Sequence, residues 1–471
     1  MINSYPSIYI FPGIYNQSSG ASIDSGIPYI IAKYNGNSKA SFPGQIDILQ
    51  DFGGGIYLLK FSYDSDDWTA LFENDTSLLS VTGCGNYNEV KNIERLFSYA
   101  SNLTDVFLND LDGIQNAYRL FYGCNAATNI NMTQTPNLED GRGIFRDCKN
   151  LVQVTFSGSP KCVNYSTIFS HCENLERLPM FDTSGCIYAN SFANYCYRLT
   201  YIPSYDWGKV TEATSMFVND SSLLSCPAFN MPELLNGAAM FKDCTQIQTI
   251  GHINAPKLIS TINMLQRCYQ LSSFSITTTN ALKTTYNMFF NCANLRALAA
   301  FDTSGVDDAH YMFFGCGLSS LDAGFNFQEL VNGESMFESC GYSAAPFPLM
   351  NFPRLRNAKN MFKFCRFDRF DANQNFATVT NGESMFESFA YNSVTFVTVP
   401  NFNFAELTTC KNMWKNNGYI NDLSALDEYN RLKVLPTIND HSGCFTDCGN
   451  LTTTGAAALT EIPASWGGTG P

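Results

Sequence analysis

The sequence predicts an α/β repeat solenoid: a right-handed coil of about sixteen repeats over 66–471, most of them 24 residues long, behind a small β-rich region at 1–65. Three observations predict it. First, a core of the form Met-Phe-x-x-Cys-x-x-Leu-x-x-Leu, complete at Met288–Leu298, recurs along nearly the whole chain. Second, its spacing is fixed. With the phenylalanine as anchor, the copies fall at Phe72, Phe97, Phe121, Phe145, Phe169, Phe192, Phe217, Phe241, Leu265, Phe289, Phe313, Phe337, Phe362, Phe386, Trp414 and Phe445, with 23 to 25 residues between neighbours until the last two steps of 28 and 31. Third, cysteine recurs at one phase of that repeat.

Bulk properties narrow the class. The 471 residues carry 28 basic and 42 acidic side chains, a net charge of −14, and no lysine- or arginine-rich run. Phosphate recognition needs concentrated positive charge, so nucleic acid is excluded as a partner. No run approaches the ~18 apolar residues of a membrane span, so membrane insertion is not expected. Met1–Gly20 has neither a basic n-region nor a long apolar h-region, and export by the usual signal is not expected either.

Before the repeat, the runs Ser7–Phe11, Ile27–Tyr34, Gln45–Leu49 and Ile56–Tyr63 are rich in Ile, Tyr and Phe and separated by turn formers, as strands are. Phe52-Gly53-Gly54-Gly55 reads as a turn. It lacks the Gly-Lys-Ser ending of a phosphate cradle. This region should cap the first coil, or attach the protein to an assembly.

Within a coil, the anchor is expected on a short helical turn, followed by a strand and a polar turn. In the coil of Phe169 the strand should fall at Arg177–Met180, and Asp182-Thr183-Ser184-Gly185 should bend the chain back. Nine of the fourteen methionines directly precede an anchor, which suits filler of a stacked apolar spine that no single coil could bury alone. Near the end, the long steps insert Tyr391–Leu407 and Tyr419–Thr437, and Ile462-Pro463-Ala464-Ser465-Trp466-Gly467 echoes Ile202–Gly208 as one further coil cut short. The tail after Leu451 should cover the last coil.

Eleven of the 17 cysteines share the phase three or four residues after the anchor: Cys124, Cys148, Cys172, Cys196, Cys244, Cys268, Cys292, Cys316, Cys340, Cys365 and Cys448. Strands stacked ~4.8 Å apart would allow disulfides by distance. However, ladder side chains point the same way, and the slot also accepts Asp220, Phe389 and Asn417. No Cys-x-x-Cys pair suggests zinc. Buried reduced thiols are the expectation, and with them a reducing site of folding.

No catalytic set is legible. His171, His252, His310 and His441 occupy different phases and cannot converge, and the acidic residues lack calcium-loop spacing. No enzyme activity, cofactor or metal is expected. Recognition remains, and the aromatics Tyr201, Tyr205, Trp207, Tyr391, Phe396, Tyr419 and Tyr429 are the candidate contacts, because aromatic side chains dominate interface hot spots.

With the Met-Phe-x-x-Cys-x-x-Leu motif of 288–295 and its partial copies, and Phe-Asp-Thr-Ser-Gly at both 181–185 and 301–305, residues 66–471 resemble the BspA-like leucine-rich repeats. These overlap the repeats of mycoplasma lipoprotein-like bacterial surface proteins. Leu265 and Trp414 depart from the pattern at the anchor. The resemblance implies a non-enzymatic, adhesive recognition scaffold, and related repeats occur in proteins encoded by phages of gut bacteria. Together with the missing signal and the reduced cysteines, it leads to the expectation of a phage virion protein, associated with a tail or fibre. Such a protein would contact a host-surface protein or glycan and would join other virion proteins through its N-terminal region. A homo-oligomer is allowed. Two alternatives stand beside it: a purely architectural assembly component, and an adhesin on a bacterial cell surface.

Overall fold

The computed structural model describes residues 29–36, 46–61, 66–84, 87, 89–319, 321–341, 347–365, 374–389, 402–420 and 424–471. Three strands precede the coils: β1 (Tyr29–Tyr34), β2 (Ile46–Gly53) and β3 (Ile56–Phe61). They match three of the four runs expected from the sequence; Ser7–Phe11 lies outside the described residues. Gly53, Gly54 and Gly55 all have positive φ, which only glycine adopts without cost, and they turn β2 into β3. β1 pairs antiparallel with β4 (Leu78–Cys84), the strand of the first coil. The N-terminal strands and the coils therefore share one sheet, in the order β2-β3-β1-β4-β5-β6-β7, with β5 (Asp105–Leu108), β6 (Asn129–Met132) and β7 (Gln153–Phe156) added in parallel. The three described strands before residue 66 are continuous with the sheet of the solenoid.

Along the solenoid, Val81, Val106, Ile130 and Val154 stand in register and face inward, with alternate neighbours outward, as the two-residue period of a strand requires. Beyond β7 the strands shrink to bridges of one or two residues, and the strand expected at Arg177–Met180 is a single bridge from Arg177 to Tyr201. The cause lies in the sequence. Pro179, Pro203 and Pro227 occupy the position held by Phe107, Asn131 and Thr155 in the earlier coils, and proline has no N–H to give the ladder.

A second ladder is more regular. Parallel bridges link Asp67, Asn92, Asn116, Asp140, Asn164, Tyr188, Glu212, Asn236, Ser260, Thr284, Asp308, Asn332, Asn357, Asn381, Thr409 and Asp440 without a break. Each rung precedes the apolar anchor of its coil by five residues. Many rungs are Asn or Asp whose side-chain oxygen accepts the N–H two residues on, as Asn92 does from Glu94 at 3.0 Å and Asn164 from Ser166 at 2.9 Å.

The helical turn expected around the anchor is absent; among the described residues the coils contain none. In its place, turns follow one another. In the coil of Phe289, Met288, Phe290 and Cys292 donate their N–H groups back to Thr285, Asn287 and Phe289, while Thr285, Asn287, Phe289 and Asn291 donate to the next coil. Alternate amides from Asn287 to Cys292 thus close turns within the coil and ladder bonds between coils, so each of these donors has a partner. The geometry needs left-handed backbone two residues before and two after the anchor, and Asn287 and Asn291 adopt it at φ 54° and 60°. Asparagine, aspartate, serine and glycine fill many of these positions because they tolerate that conformation best.

The anchors form a column of rings. Phe97 and Phe121 stack 5.6 Å apart at 5°, and Phe337 and Phe362 5.5 Å apart at 5°. Phe192 is the exception. The left-handed residues of its coil are Ser191 and Tyr195, and Ala193, not Phe192, makes the anchor's bond to the next coil, from its N–H to Met216 O. Ala193 is therefore the structural anchor, and Phe192 sits in the slot that methionine fills elsewhere. Its ring stands at 73° and 70° to its neighbours Phe169 and Phe217. With that correction every ladder cysteine lies three residues after its anchor.

The described helices lie at the C-terminal end: α1 (Ser424–Leu432) and α2 (Thr453–Leu459). Trp466, on a short 3₁₀ turn, carries the carbonyl that accepts the N–H of Phe445, and its ring stacks on His441. The tail thus covers the final coil, as its sequence suggests.

Candidate recognition surface

The inner wall determines which side chains are free to act. Cys124, Cys148, Cys172, Cys196, Cys244, Cys268, Cys292, Cys316 and Cys340 are buried thiols outside any disulfide, and Cys365 and Cys448 are buried at the same phase. Eight of them donate Sγ–H to the anchor carbonyl of the preceding coil at 3.0–3.2 Å; Cys292, for example, bonds to Leu265 O at 3.2 Å and Cys316 to Phe289 O at 3.0 Å. Burial pushes these thiols up, Cys148 to about 12, so they are poor nucleophiles. Asn417 fills the slot in the coil of Trp414 and does the same work, with Nδ2 2.8 Å from Phe386 O. In these coils the slot holds a donor to the preceding anchor carbonyl, which the sequence pattern alone does not reveal, whereas Ala100 and Phe389 fill it without one.

The candidate contact residues divide. Tyr201 and Tyr419 are exposed. Tyr205 is partly buried, donates its hydroxyl to Pro179 O at 2.5 Å and packs against Phe181, Phe192 and Trp207. Trp207 is core. Tyr429 lies on α1 and packs against Phe445 and Trp466, so the insertion around it is a folded part of the C-terminal cap rather than a free loop. Tyr391 and Phe396 lie outside the described residues.

The sequence reading missed a stripe on the outer edge. Six residues before the anchor, Val163, Ile187, Thr211, Leu235 and Ile259 follow one another through five successive coils, and Val163, Leu235 and Ile259 remain 43%, 38% and 45% exposed. The signal was available as aliphatic residues at a repeat position that holds Lys91, Gln115 and Glu139 in earlier coils. Ion pairs also tie the coils together on the surface, such as Lys257–Glu233 at 2.6 Å, Lys149–Glu173 at 3.2 Å and Lys359–Glu383 at 3.0 Å.

The histidines do not meet. His171 stacks on Tyr195, His252 bonds Ser275 and Thr277, His310 bonds Asp308 while stacked on Tyr286, and His441 lies on Trp466. Among the described residues no group of three His, Cys, Asp or Glu side chains is placed to hold a metal ion, and no helix is long and apolar enough to cross a membrane.

Stacked turns, a ring column and a thiol ladder define a repeat solenoid with an extended outer face. Its family follows from the repeat. Residues 91–224 match the BspA type leucine rich repeat region in 6 copies, and residues 263–374 match a family described as mycoplasma protein of unknown function. The chain carries BspA-type leucine-rich repeats. Among solved structures it is similar to a leucine-rich repeat protein from Eubacterium ventriosum, at 15% identity and a TM-score of 0.25 over 53% of this chain and 87% of that one. It is also similar to a plant peptide hormone receptor, RGFR1 in complex with RGF2, at 10% identity and a TM-score of 0.17 over 75% and 85%. No curated protein matches it.

Proposed function

We propose that the protein is a non-catalytic recognition solenoid of a phage virion, associated with a tail or fibre, whose outer edge contacts a protein or glycan on the host surface. The observation that carries the recognition role is the aliphatic stripe of Val163, Leu235 and Ile259, exposed on a rigid ladder. An exposed apolar row on a soluble repeat marks an interaction site. The thiols bonded to backbone carbonyls suit a protein assembled in a reducing cytoplasm. Attachment to the particle falls to the N-terminal cap. Among the described residues β2 is the edge strand of its sheet, and Ile48 and Leu49 stand exposed on it. Open edges pair readily with another chain.

The test has two parts. A tag on this chain, imaged in the native particle and in the host cell, should decorate the tail region of virions. Decoration of the bacterial envelope in the absence of phage would favour the adhesin reading. Purified protein should compete with particle attachment, and a variant with Val163, Leu235 and Ile259 changed to Ser should compete poorly. Tail decoration without any competition would make the protein architectural.

A further inference from the structure

Asp220 occupies the thiol slot of the coil anchored on Phe217, and it is fully buried. Its Oδ1 accepts the N–H of Cys196 at 2.8 Å, while Oδ2 is buried and has no hydrogen-bond partner among the described residues. That arrangement disturbs the coil before it. In ten coils the amide of the ladder cysteine closes a turn onto its own anchor carbonyl, as Cys172 does onto Phe169 and Cys292 onto Phe289. In the coil of Ala193 that amide is diverted to Asp220, and among the described residues the Ala193 carbonyl accepts no hydrogen bond. By the repeat's register, this is the carbonyl to which the slot residue of the next coil donates, as eight thiols and the Asn417 amide do elsewhere. Two oxygens with no partner thus fall at the two ends of one conserved bond of the repeat, and a single proton between them satisfies both.

We propose that Asp220 is held as a neutral carboxylic acid whose Oδ2–H donates to the Ala193 carbonyl in place of the usual thiol, so that removing this proton in alkali loosens the solenoid between the coils of Ala193 and Phe217. The titratable groups facing it are the thiols of Cys196 in the coil before, Cys226 in its own coil and Cys244 in the coil after, and each of them is coupled to the ionised form of Asp220. No cation faces it among the described residues. Burial pushes the carboxyl well above its ordinary range, against the pull of the Cys196 N–H, in agreement with the geometry.

Asp220→Asn tests this on the full chain, because an amide reproduces the protonated acid: its oxygen accepts from Cys196 and its nitrogen donates to Ala193. Asp220→Cys, which restores the residue found in most coils, is the second variant. At about pH 8, wild type minus Asp220→Asn should show the infrared carbonyl stretch of a protonated carboxylic acid. In denaturant titrations the unfolding constant of wild type relative to either variant should rise with pH, by up to about tenfold per pH unit above the ordinary carboxylate range, since one extra proton is bound in the folded state. No protonated-acid band, or a wild-type-to-variant ratio that stays flat with pH, overturns the proposal. A destabilised Asp220→Asn together with a destabilised Asp220→Cys overturns it as well.

Discussion

The ring of Phe362 lies 5.5 Å from that of Phe386 and parallel to it within 2°. Twenty-four residues of chain separate the two, and the contact exists only because a complete coil returns the backbone to the same place. The same stacking runs through Phe313, Phe337 and, at the far end, Trp414.

A prediction for the column follows. Phe289 is fully buried and stacks on Phe313 at 6°. Phe289→Ala should cost about 3–5 kcal/mol, a transfer term plus a cavity term, measured as a fall in the urea midpoint at constant slope. A cost below about 1 kcal/mol would mean that the column collapses around the gap.

The left-handed positions predict a gain. Ala239 is held at φ 55°. Alanine there costs about 1–2 kcal/mol and glycine loses about 0.5–1 kcal/mol more chain entropy on folding, so Ala239→Gly should stabilise by roughly 0.5–1 kcal/mol. Denaturation of the two proteins side by side decides the sign.

Thiol chemistry offers a third test. Native protein should label slowly, since the ladder thiols are buried and burial keeps them protonated. In denaturant without reductant, labelling should recover nearly all 17 cysteines. Recovery of a few would show that the ladder is bridged.

The C-terminal cap carries its own pH dependence. Burial pushes Glu428 on α1 up to about 7, with Arg431 opposing. A carboxyl raised in the folded state contributes stability that is complete below its unfolded value near 4.5 and is lost as pH rises toward about 7. Glu428→Gln should flatten that part of the stability profile without shifting the carboxylic-acid signal assigned to Asp220.

Two aromatics in one coil should separate binding from folding. Tyr201 is exposed and Trp207 is core. Tyr201→Ala should change stability by less than about 0.5 kcal/mol, and Trp207→Ala should cost about 3–5 kcal/mol. Equal costs would show that Tyr201 is buried by a partner copy.

The sequence by itself determined the solenoid, its period, its N-terminal strands and its thiol ladder. Each of these is a repeating local demand, and repetition makes it legible: a Phe, a Cys and a Leu at constant spacing can be buried only by stacking. Tertiary structure decided the rest, because it depends on neighbouring coils. Phe192 looked like an anchor until the bond from Ala193 to the next coil showed a shift of one residue, which only the register between coils can fix. The helical turn gave way to chained turns because their alternate amides reach across to the next coil. Tyr429 is partly buried against the core, since α1 folds back onto Phe445 and Trp466. The burial of Asp220 was likewise invisible in composition, for a carboxyl's surroundings are set by the coils above and below it, and these meet only in the folded chain.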